Sequence, residues 1–264
     1  MHRFLDKYTY ACGLALGLTL AASAAHADRL ADIQKAKKIR VAIELSLPPY
    51  GMMDSELKPT GSDVDTAKLL ASDLGAQLEI VPVTGPTRIP YLQTNKTDVV
   101  IATLSISPAR AKVIDFSTPY SAVQIVVAAP KDVSIKDFAD LKGKSIAITR
   151  GNVQEPELMK RAVGARIVRY DDDATLVTAG ITGQATVVST TTSLLREIQS
   201  KNPNANLETK FVVKNFDLGI GIRKGEPELL DWVNRWVAEN RANGKLNAIF
   251  KKYNGVDLPA PSQP

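Results

Sequence analysis

The stretch "DVVIATLSISPARAKVIDFSTPY" (Asp98–Tyr120) starts as an apolar strand and then changes character abruptly. Val99 to Ala102 reads as buried, yet Thr103, Ser105 and Ser107 follow directly, and Arg110 comes soon after. A solvated turn explains the hydroxyls. An anion-binding mouth at a strand end explains the hydroxyls and the guanidinium together, because both donate hydrogen bonds to oxyanions. Ser107-Pro108 also reads as a helix N-cap followed by proline in the first turn. Ser107 therefore reads as a helix start, while Thr103, Ser105 and Arg110 stay open between a solvated turn with a surface arginine and an anion-binding mouth.

Outward from this stretch, strand-like and helix-like patterns alternate. Ile39–Leu45 and Leu78–Val83 are β-rich runs, separated by helical spacing over Ser62–Leu74 that Gly75 closes. A short helix over Ile89–Thr94 precedes the strand Val99–Thr103. Later strands are expected at Ser145–Thr149, Arg166–Tyr170, Thr186–Ser189 and Phe211–Val213. Helices fall between them near Glu155–Val163, Ala174–Ile181 and Ser193–Ser200, and two more, Glu226–Arg241 and Lys245–Tyr253, end the chain. This order predicts an α/β protein with mostly parallel sheets, in which ligands bind beyond the carboxyl ends of the strands. Both Thr103–Ser107 and Arg150-Gly151-Asn152 lie at such ends.

Composition narrows the chemistry. Arg3 and Lys7, an apolar run from Ala11 to Ala25, and Ala25-His26-Ala27 form a secretory signal pattern with cleavage expected after Ala27. The expected product is an exported, periplasmic protein. Its processed form loses both histidines and the single cysteine, which excludes the usual zinc sites, disulfides and histidine-dependent nucleophilic catalysis. The formal charge of +5 is spread among acids, and aromatic residues are 6% of the chain and not interleaved with basic patches, so no nucleic-acid partner is expected.

The segments "RVAIELSLPPY", "GSDVDTAKLLASDLG", the opening stretch, "DFADLKGKSIAITRGN" and "GIGIRKGEPELLDWVNRWVAENRANGKLNAIFKKYNG" occur in one order. With them the chain resembles the polar amino-acid-binding proteins of bacterial ABC transporters, the family 3 extracellular solute-binding proteins, from about Ile39 to Gly255. "VPVTGPTRIPYLQ" and "KDFADLKGK" look most like the glutamate/aspartate-binding branch. The resemblance implies a type II periplasmic binding fold: two α/β lobes, two hinge strands and a ligand cleft between the lobes. Lobe 1 would comprise residues 28–121 and 217–264 and lobe 2 residues 122–216, with crossings near Ser121–Gln124 and Val213–Asp217. It also implies a monomer that delivers its ligand to a membrane permease and needs no cofactor or metal.

Residue by residue, the resemblance makes Arg110 the clamp on a ligand α-carboxylate, helped by Thr103 and Ser105 from the same lobe. Gly151, Asn152 and Val153 precede a helix and would offer backbone N–H groups to the same carboxylate. Arg88, in "TRIP", matches an arginine that the acidic branch aims at a side-chain carboxylate. Two departures stand out. Thr191 occupies the position where the family usually has an ammonium-binding aspartate. Leu47 replaces a ligand-stacking aromatic, leaving Tyr50 as the nearest ring and Glu44 as a candidate partner for an ammonium. The expectation is a binding protein for an acidic or otherwise polar amino acid, not an enzyme. The alternatives are a dicarboxylate or other carboxylate binder, and a cyclohexadienyl-dehydratase-like enzyme using Glu44 or Glu155.

Overall fold

The computed structural model describes residues 29–261; the signal pattern and its cleavage site lie outside the described residues. Helix α1 (Arg29–Ala36) leads into strand β1 (Lys38–Glu44), and a small hairpin of β2 (Met52–Met53) and β3 (Pro59–Thr60) precedes α2 (Ser62–Asp73). The apolar face of α2 (Val64, Ala67, Leu70, Ala71) is buried, and Asp63 and Asp65 lie in its first turn, where the helix dipole favours acids. Then come β4 (Gln77–Val83), α3 (Arg88–Gln93), β5 (Val99–Val100), α4 (Pro108–Ala111) and β6 (Asp115–Phe116).

The next block is β7 (Ser121–Pro130), β8 (Ser145–Thr149), α5 (Gln154–Arg161), β9 (Arg166–Tyr170), α6 (Asp173–Ile181), β10 (Val188–Thr191), α7 (Thr192–Lys201) and β11 (Leu207–Leu218). The chain closes with β12 (Gly221–Ile222), α8 (Pro227–Ala242) and α9 (Lys245–Asn254).

Among the described residues two five-stranded sheets result. One has the order β4-β1-β5-β12-β6; the other has β11-β7-β10-β8-β9. The strands β1, β4 and β5 run parallel, as do β8, β9 and β10. In contrast β12 pairs antiparallel with β5 and β6, and β7 pairs antiparallel with β10 and β11. The sheets are thus less parallel than the βαβ pattern predicts, because the segments entering from the far side of the molecule arrive reversed. β7 and β11 are also far longer than the sequence suggests. Ala122 pairs with Asp217, Val123 with Phe216 and Gln124 with Asn215, so the two crossing segments form one antiparallel ribbon. The fold is that of a two-lobed type II periplasmic binding protein with its cleft between the sheets' strand ends.

Candidate functional site

Between the two blocks lies a small cavity. From the first block it is lined by Leu47, Arg88, Thr103, Ser105 and Arg110, and from the second by Asn152, Val153, Gln154, Asp173, Thr190 and Thr191, with Val123 and Ile125 of β7 at its base. The carboxyl ends of β5, β8 and β10 supply six of these thirteen residues, in line with the carboxyl-end rule.

Arg110 is held as the sequence suggests. Ser107 caps α4 by accepting from the Arg110 amide, with Pro108 in the first turn. The guanidinium then donates to Ser105 O and, across the cleft, to Gly151 O, both at 2.9 Å. Among the described residues no carboxylate lies within ion-pair distance of it. Burial, then the neighbouring Arg88, pushes its pKa down to about 9, with Glu44 opposing the shift from beyond ion-pair distance, so it stays charged at neutral pH.

Arg88 is 2% exposed and much more heavily used. Its Nε donates to Gly85 O at 3.2 Å, Nη1 to Ala102 O at 2.9 Å and Thr103 O at 3.5 Å, and Nη2 to Asn152 Oδ1 at 2.5 Å. Glu44 Oε2 lies 3.7 Å from Nη1. Four of five donor hydrogens are committed, so Arg88 ties the blocks together. Close backbone approach makes this possible. A Cβ at Gly85 would come within 2.8 Å of Arg150 O, and one at Gly151 (φ +72°) within 3.1 Å of Pro86 Cα.

Thr103 lines the cavity, but its hydroxyl and amide both donate inward to Asp63 Oδ2, at 2.8 and 2.7 Å. Tyr120 donates to the other oxygen at 2.7 Å. Thr103 therefore has no donor left for an anion. Its φ of 49° is held by this carboxylate. Ser105 lines the cavity and bridges to Leu218. Thr191 is the N-cap of α7, accepting from the Leu194 amide at 3.1 Å.

Gly151 offers its carbonyl to Arg110, while its N–H donates to Glu155 at 3.1 Å. The expected anion contact from that amide is therefore not free. The Val153 amide makes no hydrogen bond to a described residue and stands at the start of α5. Glu44 sits behind Arg88, outside the cavity lining, and burial raises its pKa to about 8. Tyr50 is also outside the cavity. The turn that pairs Leu47 with Gly51 carries the ring away, to donate to Ala122 O at 3.4 Å beside the hinge. Leu47 meets the cavity in its place.

Sequence reasoning missed Asp173, Gln154 and Thr190. Asp173 had a signal: in Asp171-Asp172-Asp173 a single N-cap is needed, Asp172 supplies it by accepting from the Thr175 amide, and Asp173 is turned inward. It is 2% exposed, and burial raises its pKa.

Comparison with known proteins agrees with this architecture. The L-cystine-binding protein of Escherichia coli (strain K12) is 29% identical over 231 residues, 87% of each chain. The ABC transporter arginine-binding protein 1 of the same strain is 29% identical, over 83% of this chain and 91% of its own. Among solved structures, an ancestral amino acid-binding protein described as a precursor of cyclohexadienyl dehydratase superposes with a TM-score of 0.76. It is 32% identical and matches over 86% of this chain and 99% of its own. The family model of the bacterial extracellular solute-binding proteins, family 3, matches residues 39–256, and the chain belongs to that family.

Proposed function

We propose that this protein is the substrate-binding component of an ABC importer and closes its two lobes on a polar amino acid. The lobes are residues 28–121 with 217–264, and residues 122–216. It works as a periplasmic monomer after loss of residues 1–27 and hands its ligand to a membrane permease. The names of the relatives, which specify cystine and arginine, support an amino-acid ligand.

One observation carries the reading. Arg110 is a charged guanidinium in the cleft, beside a second arginine, bonded to carbonyls of both lobes and ion-paired with no acid among the described residues. An α-carboxylate entering beside Ser105 and the Val153 amide would relieve that charge with bidentate geometry. Preference for an acidic side chain has weaker support. It needs Arg88 as a free cation, and Arg88 is committed to carbonyls, Asn152 and Glu44. A second anionic end would meet Asp173 in the cavity wall. Polar amino acids with a neutral side chain fit this balance of charge better than glutamate, aspartate or dicarboxylates.

The test is Arg110→Ala, with calorimetry against the amino acids that raise the wild-type melting temperature in a thermal-shift screen. Loss of about 2–5 kcal/mol, roughly 30- to several-thousand-fold in affinity, is expected in a folded variant. Affinity near that of wild type would remove the clamp. Turnover of prephenate or arogenate by the wild type would replace the transport reading with the enzymatic one.

A further inference from the structure

The lobe-2 wall of the cavity contains one formal negative charge, Asp173, and that carboxylate is half satisfied. Oδ1 accepts from the Thr149 hydroxyl and from Asn152 Nδ2 at 3.4 Å. Oδ2 is buried and has no hydrogen-bond partner among the described residues. An unmet carboxylate oxygen in such a place is costly unless a donor arrives. Arg88 does not supply one: its Nη2 goes to Asn152 Oδ1, and Asn152 stands between the two charges. The cavity therefore has an unpaired guanidinium on one wall and an unpaired carboxylate oxygen on the other.

We propose that Asp173 Oδ2 is the acceptor for the α-ammonium of the bound amino acid, opposite the carboxylate on Arg110. The inference rests on the amino-acid reading above and adds which residue reads the amine. Thr191, whose hydroxyl caps α7 and bonds Ser193 at 2.8 Å, is a weaker acceptor at the same wall. A carboxylate from the start of α6 accordingly does what residue 191 does not. Asn152 and Thr149 hold Asp173 through Oδ1, which leaves Oδ2 as the free oxygen of this cavity-lining residue.

The experiment compares L-glutamine, L-arginine, L-cystine and L-glutamate with their des-amino analogues by calorimetry. In wild type, each amino acid that binds is expected to exceed its analogue by at least about tenfold, as a charge-assisted contact requires. Asp173→Asn keeps the acceptor for Thr149 and should reduce that ratio to about threefold or less by weakening the amino acid alone. An undiminished ratio in Asp173→Asn overturns the assignment while leaving the amino-acid reading intact. Failure of all four amino acids to bind wild type would overturn both. Thr191→Asp gives a second measure that does not depend on how Asp173→Asn folds, since aspartate also caps helices. With the ammonium already met by Asp173, the added acid should change the ratio by less than about threefold. A widening of about tenfold or more would mean that wild type supplies no acceptor, and Asp173 would lose the role.

Discussion

Two aspartates, Asp63 beneath the cavity and Asp173 in its wall, are buried to the same degree and differ in what their oxygens do. Asp63, in the first turn of α2, accepts the Thr103 amide, the Thr103 hydroxyl and the Tyr120 hydroxyl, so both its oxygens are used. Asp173, in the first turn of α6, has one oxygen used and one without a partner. Burial raises the pKa of both. The difference teaches how to read a buried acid: a saturated one is part of the frame, and an unsaturated one facing a cavity waits for a donor. Asp63 fixes the left-handed turn at Thr103 from which the Ser105–Arg110 segment departs. Asp173 is held in readiness by that frame's counterpart across the cleft.

The sharpest way to break the comparison is to remove the saturated member. Asp63→Ala orphans three donors and frees a strained backbone at Thr103. It should cost on the order of 3–5 kcal/mol in denaturant unfolding. A loss below about 1 kcal/mol would mean that Asp63 is no more structural than Asp173.

A third buried acid, Glu44, tests whether an incompletely met carboxylate weakens the fold. Its oxygen Oε2 has no hydrogen bond, although Arg88 lies 3.7 Å away. Burial holds its proton to about pH 8 in the folded state, against 4.5 for the ordinary group, while Arg88 opposes the shift and Asp173 adds to it. Between those values the folded state binds more protons than the unfolded chain, so stability falls as pH rises through the window. Unfolding of wild type and Glu44→Gln from pH 4.5 to 8 should show a shallower decline in the variant. Parallel pH profiles would remove Glu44 from this account.

The smallest effect is expected where the acid is poised. Asp173→Asn should leave stability within about 1 kcal/mol of wild type, or raise it, because a buried charge with an unmet oxygen is replaced by a neutral group of the same shape. A thermal denaturation showing a loss of more than about 2 kcal/mol would place Asp173 beside Asp63 as scaffold.

Local elements were legible from the residues alone. Ser145–Thr149 and Arg166–Tyr170 are strands with the expected ends, and Ser107 caps the helix that carries Arg110. Each depends on neighbours a few residues away, through side-chain period or capping chemistry. The hinge ribbon was barely legible: β11 runs from Leu207 to Leu218, where three residues were expected, because its length is set by pairing with β7. Helix α1 was also unforeseen; its eight residues bury only Ile33, too faint an apolar period to read.

The site divides along the same line. The residue types along the chain determined that a guanidinium and hydroxyls follow a buried strand, that residue 191 carries no charge, and that residues 28–264 lack histidine and cysteine. Tertiary structure alone decided which of those groups remain free. Arg88 meets Asn152 across 64 positions of sequence, and Thr103 meets Asp63 across 40. Tyr50 turns toward the hinge, and Asp173 turns toward the cavity. A side chain's chemistry is fixed by its own atoms, but whether its hydrogen bonds are already made depends on what the folded chain brings within about 3 Å of it, and no local pattern records that.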